Sequence, residues 1–138
     1  MIILDTCVLS EAIKPEPAAQ VLNWIASLPE QRVFLSVISI GELEQSIKLL
    51  RPDSTQQALR IWFEQLQERF RGKILPIDTE TTRIWGKLSA RLQQANSSVS
   101  VIDGLQAALA LRHSALFATC DIEALSVTGV ELVNPWDN

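Results

Sequence analysis

The sequence predicts an α/β domain, with a mainly parallel sheet of four to five strands flanked by helices on both faces. Three observations predict it: short apolar runs bounded by turn or capping residues recur along the chain, helical periodicity fills the gaps between them, and strand and helix alternate throughout. Alternation of this kind calls for right-handed crossovers that leave both faces of the sheet covered.

The first strand run is Ile2 to Leu4, ended by Asp5. Val33 to Leu35 is the second, and Ile40, Leu43, Ile47 and Leu50 mark the core face of the helix that follows. Leu59, Trp62, Phe63, Leu66 and Phe70 form a longer helical stripe, which leads to a third run at Ile74 to Ile77. Trp85, Leu88 and Leu92 repeat the stripe on the next helix. Ala107, Ala108 and Leu111 lie on a small-residue helix that can sit close to a sheet. Leu116 to Thr119 and Glu131 to Val133 complete the strands.

A chain of 138 residues reads as one domain over 1–138, long enough to bury roughly two-thirds of its unfolded surface. The two cysteines are too few for a disulfide scaffold, and no basic lead precedes Met1 to Leu4 as in a secretory signal, so a reducing cytoplasm is expected. The longest apolar stretch, Leu105 to Leu111, is interrupted by Gln106 and falls short of the roughly 20 residues that span a bilayer, so no membrane is expected. A net charge of -4 argues against broad electrostatic capture of nucleic acid and for a local acidic site.

In wound parallel sheets ligands bind beyond the carboxyl ends of the strands, near the point where strand order reverses. Four acids fall on that edge. Asp5 ends the first strand, Glu42 opens the helix after the second, Asp103 opens the small-residue helix, and Asp121 follows the fourth strand. Gathered together they would raise one another's pKa and repel, which a hard divalent cation resolves; magnesium or manganese suits an oxygen-only set. The single histidine, His113, leaves a histidine-based metal triad or a Ser-His-Asp triad without support.

Taken singly, three of these acids have ordinary roles open to them. Ser39-Ile40-Gly41-Glu42 and Ser100-Val101-Ile102-Asp103 both fit a capping box, and Asp121 fits a plain N-cap. Asp5 differs, because an ionisable residue ending an apolar strand is unfavourable without a partner or a function. The conjunction of four, more than any one, carries the metal-site reading.

In this order and spacing the chain resembles the PIN-domain endoribonucleases, specifically the VapC or FitB-like toxins of type II toxin-antitoxin pairs. The matching pieces are Ile3-Leu4-Asp5-Thr6, Leu35-Ser36 with Ile40-Gly41-Glu42-Leu43, Val101 to Ala108, Ala118-Thr119-Cys120-Asp121 and Val133-Asn134-Pro135-Trp136. The resemblance implies a PIN-like fold in which Asp5, Glu42, Asp103 and Asp121 are catalytic and hold Mg2+ or Mn2+. It implies hydrolysis of RNA to a 5'-phosphate and a 3'-hydroxyl, a homodimer, and a cognate antitoxin. The chain departs from the family at Cys7, where Asn or Ser is common, at Cys120, often Arg, and at Ala124-Leu125, often Asp-Phe.

Around the acids, Thr6 and Thr119 are candidates to hydrogen-bond a ligand carboxylate or a phosphate, or are satisfied strand-end hydroxyls. Cys7 and Cys120 each follow a strand expected to be central, so they are expected to approach each other as a buried thiol pair. Arg83, Lys87, Arg91 and Arg112 can track an RNA backbone or simply solvate a helix face. Trp24, Trp62 and Trp136 serve an interface or the core, and His113 suits a helix C-terminus or solvent.

A phosphatase of the haloacid type needs a second Asp where Cys7 stands, and a dinucleotide site needs glycines that Thr6-Cys7-Val8-Leu9-Ser10 lacks. The remaining rival is a non-catalytic PIN-like module that binds RNA or protein and uses its acids as caps. An amide at each acid separates the two, since Asn caps nearly as well as Asp but ligates a metal poorly.

Overall fold

A computed structural model describes residues 1–137. The elements run β1 (Ile2–Leu4), α1 (Thr6–Glu11), α2 (Ala19–Ser27), β2 (Val33–Ser36), α3 (Val37–Lys48), α4 (Ser54–Arg69), β3 (Ile74–Leu75), α5 (Thr79–Gln94), α6 (Val101–Arg112), β4 (Leu116–Ala118), α7 (Ile122–Leu125) and β5 (Leu132–Val133). Five strands form one sheet in the order β3-β2-β1-β4-β5, and every neighbouring pair is parallel. The chain winds outward from β1 to one edge, then returns through α5 and α6 to the other side of β1. The order therefore reverses between β1 and β4.

The two faces of the sheet bury separate clusters, and alternation along β1 divides them. Ile2 and Leu4 join Val8, Leu9, Val21, Leu35, Leu43, Ile47, Phe63 and Phe70 under α1 to α4. Ile3 and Phe117 join Leu88, Leu92, Ala107, Leu109 and Ala110 under α5 and α6. The stripe on α4 faces the first cluster as expected, and Leu88 and Leu92 face the second. Trp24, Trp62 and Trp136 all pack half-buried against the first cluster, which favours the core reading of these rings.

Several expected boundaries shift for local reasons. β3 stops at Leu75, because Pro76 has no N–H to continue the ladder. Leu50 lies past the end of α3, exposed, because Arg51 precedes Pro52 and the chain must leave the helical region there. Leu111 is also turned outward, and Ala107, Ala108 and Ala110 carry the buried side of α6. No helix among the described residues is long and apolar enough to cross a membrane.

Candidate active site

Period-two alternation points Asp5 to the same side of the sheet as Ile3, toward α6. The Asp5 amide donates to Ala118 O at 2.9 Å, so the β1–β4 ladder continues one residue past the strand. There Asp5 takes an extended conformation and caps α1, Oδ1 accepting from the Thr6 amide at 2.7 Å. Its Oδ2 accepts from Thr119 Oγ1 at 2.8 Å, and Thr119 Oγ1 accepts in turn from the Asp121 amide at 3.0 Å. Asp5 thus caps a helix as well as ending a strand, and the buried Thr119 hydroxyl fixes it across the switch point.

Glu42 arrives from the other neighbour of β1. The helix that carries it begins at Ser36, whose Oγ accepts from the Ile38 amide at 3.0 Å, and not at Ser39 as the capping-box pattern suggested. Ser36 wins because β2 ends there, which leaves Ser39 inside the first turns of α3 and fully buried. Glu42 therefore sits in mid-helix, one turn after Ser39, and both reach Thr6. Thr6 Oγ1 donates to Glu42 Oε1 at 2.7 Å and lies 2.9 Å from Ser39 Oγ. Sequence reasoning assigned Ser39 to a cap and missed it as a support for Thr6.

The capping role of Ser100 holds: its Oγ accepts from the Asp103 amide at 3.1 Å and starts α6. Gly104 lets this first turn lie against α5, since a Cβ there would fall 2.9 Å from Trp85 Nε1. Ser100→Ala is expected to cost about 1 kcal/mol, read as a urea midpoint lower by about 0.5 M at unchanged slope. Asp121 occupies the N-cap position of α7 but makes no capping bond, and it stands exposed at the rim.

Burial is the main cause that holds the Asp5 carboxyl above its ordinary pKa. Hydrogen bonds from Thr119 and Thr6 oppose the rise, and the charges of Glu42 and Asp103 add to it. Three of the four acids therefore share one electrostatic site, with Asp121 at its edge. No salt bridge among the described residues involves any of the four. The same residues contain no preformed cage of three or more acid, His or Cys side chains. The donor set is carboxylate and hydroxyl oxygen, the chemistry of a hard cation that keeps most of its water and takes only one or two carboxylates.

The cysteines do meet: the Cys120 amide donates to Cys7 Sγ at 3.1 Å. Cys7 Sγ also lies 3.9 Å from both Asp5 Oδ2 and Thr119 Oγ1. The expected buried pair is corrected, because Cys7 is half-buried, its thiol pKa pushed up by burial, while Cys120 is exposed where the chain leaves β4. His113 ends α6, roughly 15 Å along the helix from Asp103. Burial, then the Arg112 charge, hold its pKa below the ordinary value, so a cationic partner for the helix dipole is disfavoured. Of the basic candidates, Arg91 donates to Thr128 O at 3.0 Å and Arg112 pairs with Asp78 at 3.8 Å, while Arg83 and Lys87 lie exposed on α5.

The PIN domain family model matches residues 2–129. Toxin FitB of Neisseria gonorrhoeae is 34% identical over 137 residues, covering 99% of each chain. The VapC ribonuclease Y4jK of Sinorhizobium fredii is 30% identical over 138 residues, also covering 99% of each. The crystal structure of FitAcB from Neisseria gonorrhoeae superimposes with a TM-score of 0.96 at 33% identity, covering 100% of both chains.

Proposed function

The chain belongs to the PIN-domain family, and from that premise we propose that it is a metal-dependent endoribonuclease that hydrolyses RNA phosphodiester bonds. The observation that carries the proposal is the Asp5 carboxyl, half-buried at the switch point between β1 and β4 and facing the charges of Glu42 and Asp103. A cluster of like charges without a basic partner is suited to a cation. The ribonuclease named among its relatives makes RNA the substrate of choice. By the same likeness the chain acts as the toxin of a type II toxin-antitoxin pair, a single cytoplasmic domain that dimerises and is restrained by a cognate antitoxin.

Asp5 and Asp103 would hold Mg2+ or Mn2+, with Glu42 and Asp121 completing the set. The bound ion supplies an acidified water and positive charge at the scissile phosphate. The Asp5 oxygens are already oriented by the Thr6 amide and the Thr119 hydroxyl, and a carboxylate has lone pairs left over to take a cation. Thr6 holds Glu42 by the oxygen it contacts, so Glu42 can ligate or orient the attacking water with its other oxygen. No histidine lies near enough to activate a ribose 2'-hydroxyl, so a 5'-phosphate and a 3'-hydroxyl are the expected ends.

The test is cleavage of a mixed RNA pool with Mg2+, with Mn2+ and with EDTA, beside Glu42→Gln and Asp103→Asn. Cutting is expected with either metal and is lost in EDTA, and each variant falls by about 10²-fold to 10⁴-fold, the worth of several kcal/mol at the transition state. RNA that stays intact under every metal, with variants that fold and bind RNA like the parent, would replace this reading with the binding-module one.

A further inference from the structure

Among the described residues, Gln106 is the one with both side-chain polar atoms buried and unpaired. It is 2% exposed, and neither its Oε1 nor its Nε2 has a hydrogen-bond partner. Leaving both atoms of a buried amide unpaired costs on the order of 1–3 kcal/mol each, and a leucine of similar size would avoid the cost. Such a residue inside a helix of alanines and leucines needs a reason.

Its position supplies one. Asp103, Gln106, Ala107 and Ala110 follow helical spacing on one face of α6, and Ala107 and Ala110 pack into the cluster that holds Ile3 and Phe117. Gln106 is one turn deeper than Asp103, about 4.5 Å along the axis. Helical side chains lean toward the N-terminus, which on α6 is the direction of the turn that carries Asp103. Asp5 reaches that level from the sheet, within electrostatic range of Asp103.

We propose that Gln106 is a positioning residue for a hard divalent cation held by Asp5 and Asp103, an inference that rests on the metal-dependent reading above. The chemistry matches both orphan atoms. Water on a divalent cation donates hydrogen bonds and carboxylate ligands accept them, and a carboxamide is a neutral side chain that answers each. Oε1 accepts from a water of hydration, and Nε2 donates to the Asp103 carboxylate. Partners of this kind outside the ligand set are worth about 10-fold to 100-fold in metal affinity.

The experiment is titration of the full chain with MgCl2, followed by calorimetry and by thermal unfolding against an EDTA reference. It compares the parent with Gln106→Leu, Gln106→Met and Asp103→Asn. Gln106→Leu and Gln106→Met are expected to raise Tm in EDTA, because two unpaired polar atoms are gone, and to weaken Mg2+ binding at least 10-fold. A merely structural residue would not move stability and affinity in opposite directions. If Asp103→Asn abolishes Mg2+ binding while both Gln106 variants bind like the parent, the role of Gln106 is refuted and the metal site stands. If the parent itself binds no Mg2+, both readings fall.

Discussion

Asp5→Asn is expected to make the metal-free protein more stable while removing its activity. The Asp5 carboxyl has a raised pKa in the folded chain, chiefly from burial. The folded state therefore keeps a proton that the unfolded state has released. Stability from this group is complete below the unfolded value, about 3.9, and is lost as pH rises through the folded one. Asn carries no charge at any pH and suffers no such loss. In EDTA, Tm of the variant should pull ahead of the parent as pH rises above about 4 and hold a constant lead once Asp5 is fully ionised. Added Mg2+ should reverse the order, stabilising the parent and not the variant. RNA cleavage should fall by about 10²-fold to 10⁴-fold. A variant less stable than the parent in EDTA at pH 8 would contradict the electrostatic account of the site.

Phe117→Ala should have the largest effect on stability. Phe117 is fully buried in β4, pairs in register with Ile3, and underlies the edge where Thr119 meets Asp5. Truncating such a ring costs about 3–5 kcal/mol, against a typical total of about 5–15. The urea midpoint should fall by about 2 M. Leu111→Ala is the control. Leu111 is 37% exposed, and its loss should stay within about 0.5 kcal/mol, although the sequence pattern placed it beside Ala107 and Ala108.

That contrast marks how far the pattern reaches. Strands such as Leu116–Ala118 were legible because fully buried parallel strands must be apolar throughout. The approach of Asp5, Glu42 and Asp103 was legible because crossovers deliver strand ends to one edge. The start of α3 was not, because Ser36 and Ser39 are both good caps and only the end of β2 decides between them. The exposure of Asp121 at the rim depends on where a four-residue helix turns, which no periodicity encodes. Gln106 reads as a break in an apolar run, and its meaning appears only once its burial is known. Asp5 was read as an acid needing a partner, and the structure supplies two donors, the Thr6 amide at the start of α1 and the Thr119 hydroxyl.

The hydrogen bond from Thr119 to Asp5 closes 114 positions of chain. Closing a loop of that length costs about 4 kcal/mol in chain entropy, and sheets with such distant pairings fold slowly. Synthesis runs from the N-terminus at roughly 5–20 residues per second, so β1 is made well before its neighbour β4. The support that Thr119 gives Asp5 at the switch point cannot form until the ribosome has released β4. On the proposed function, the edge that would cut RNA is inert by topology until β4 and Thr119 have emerged.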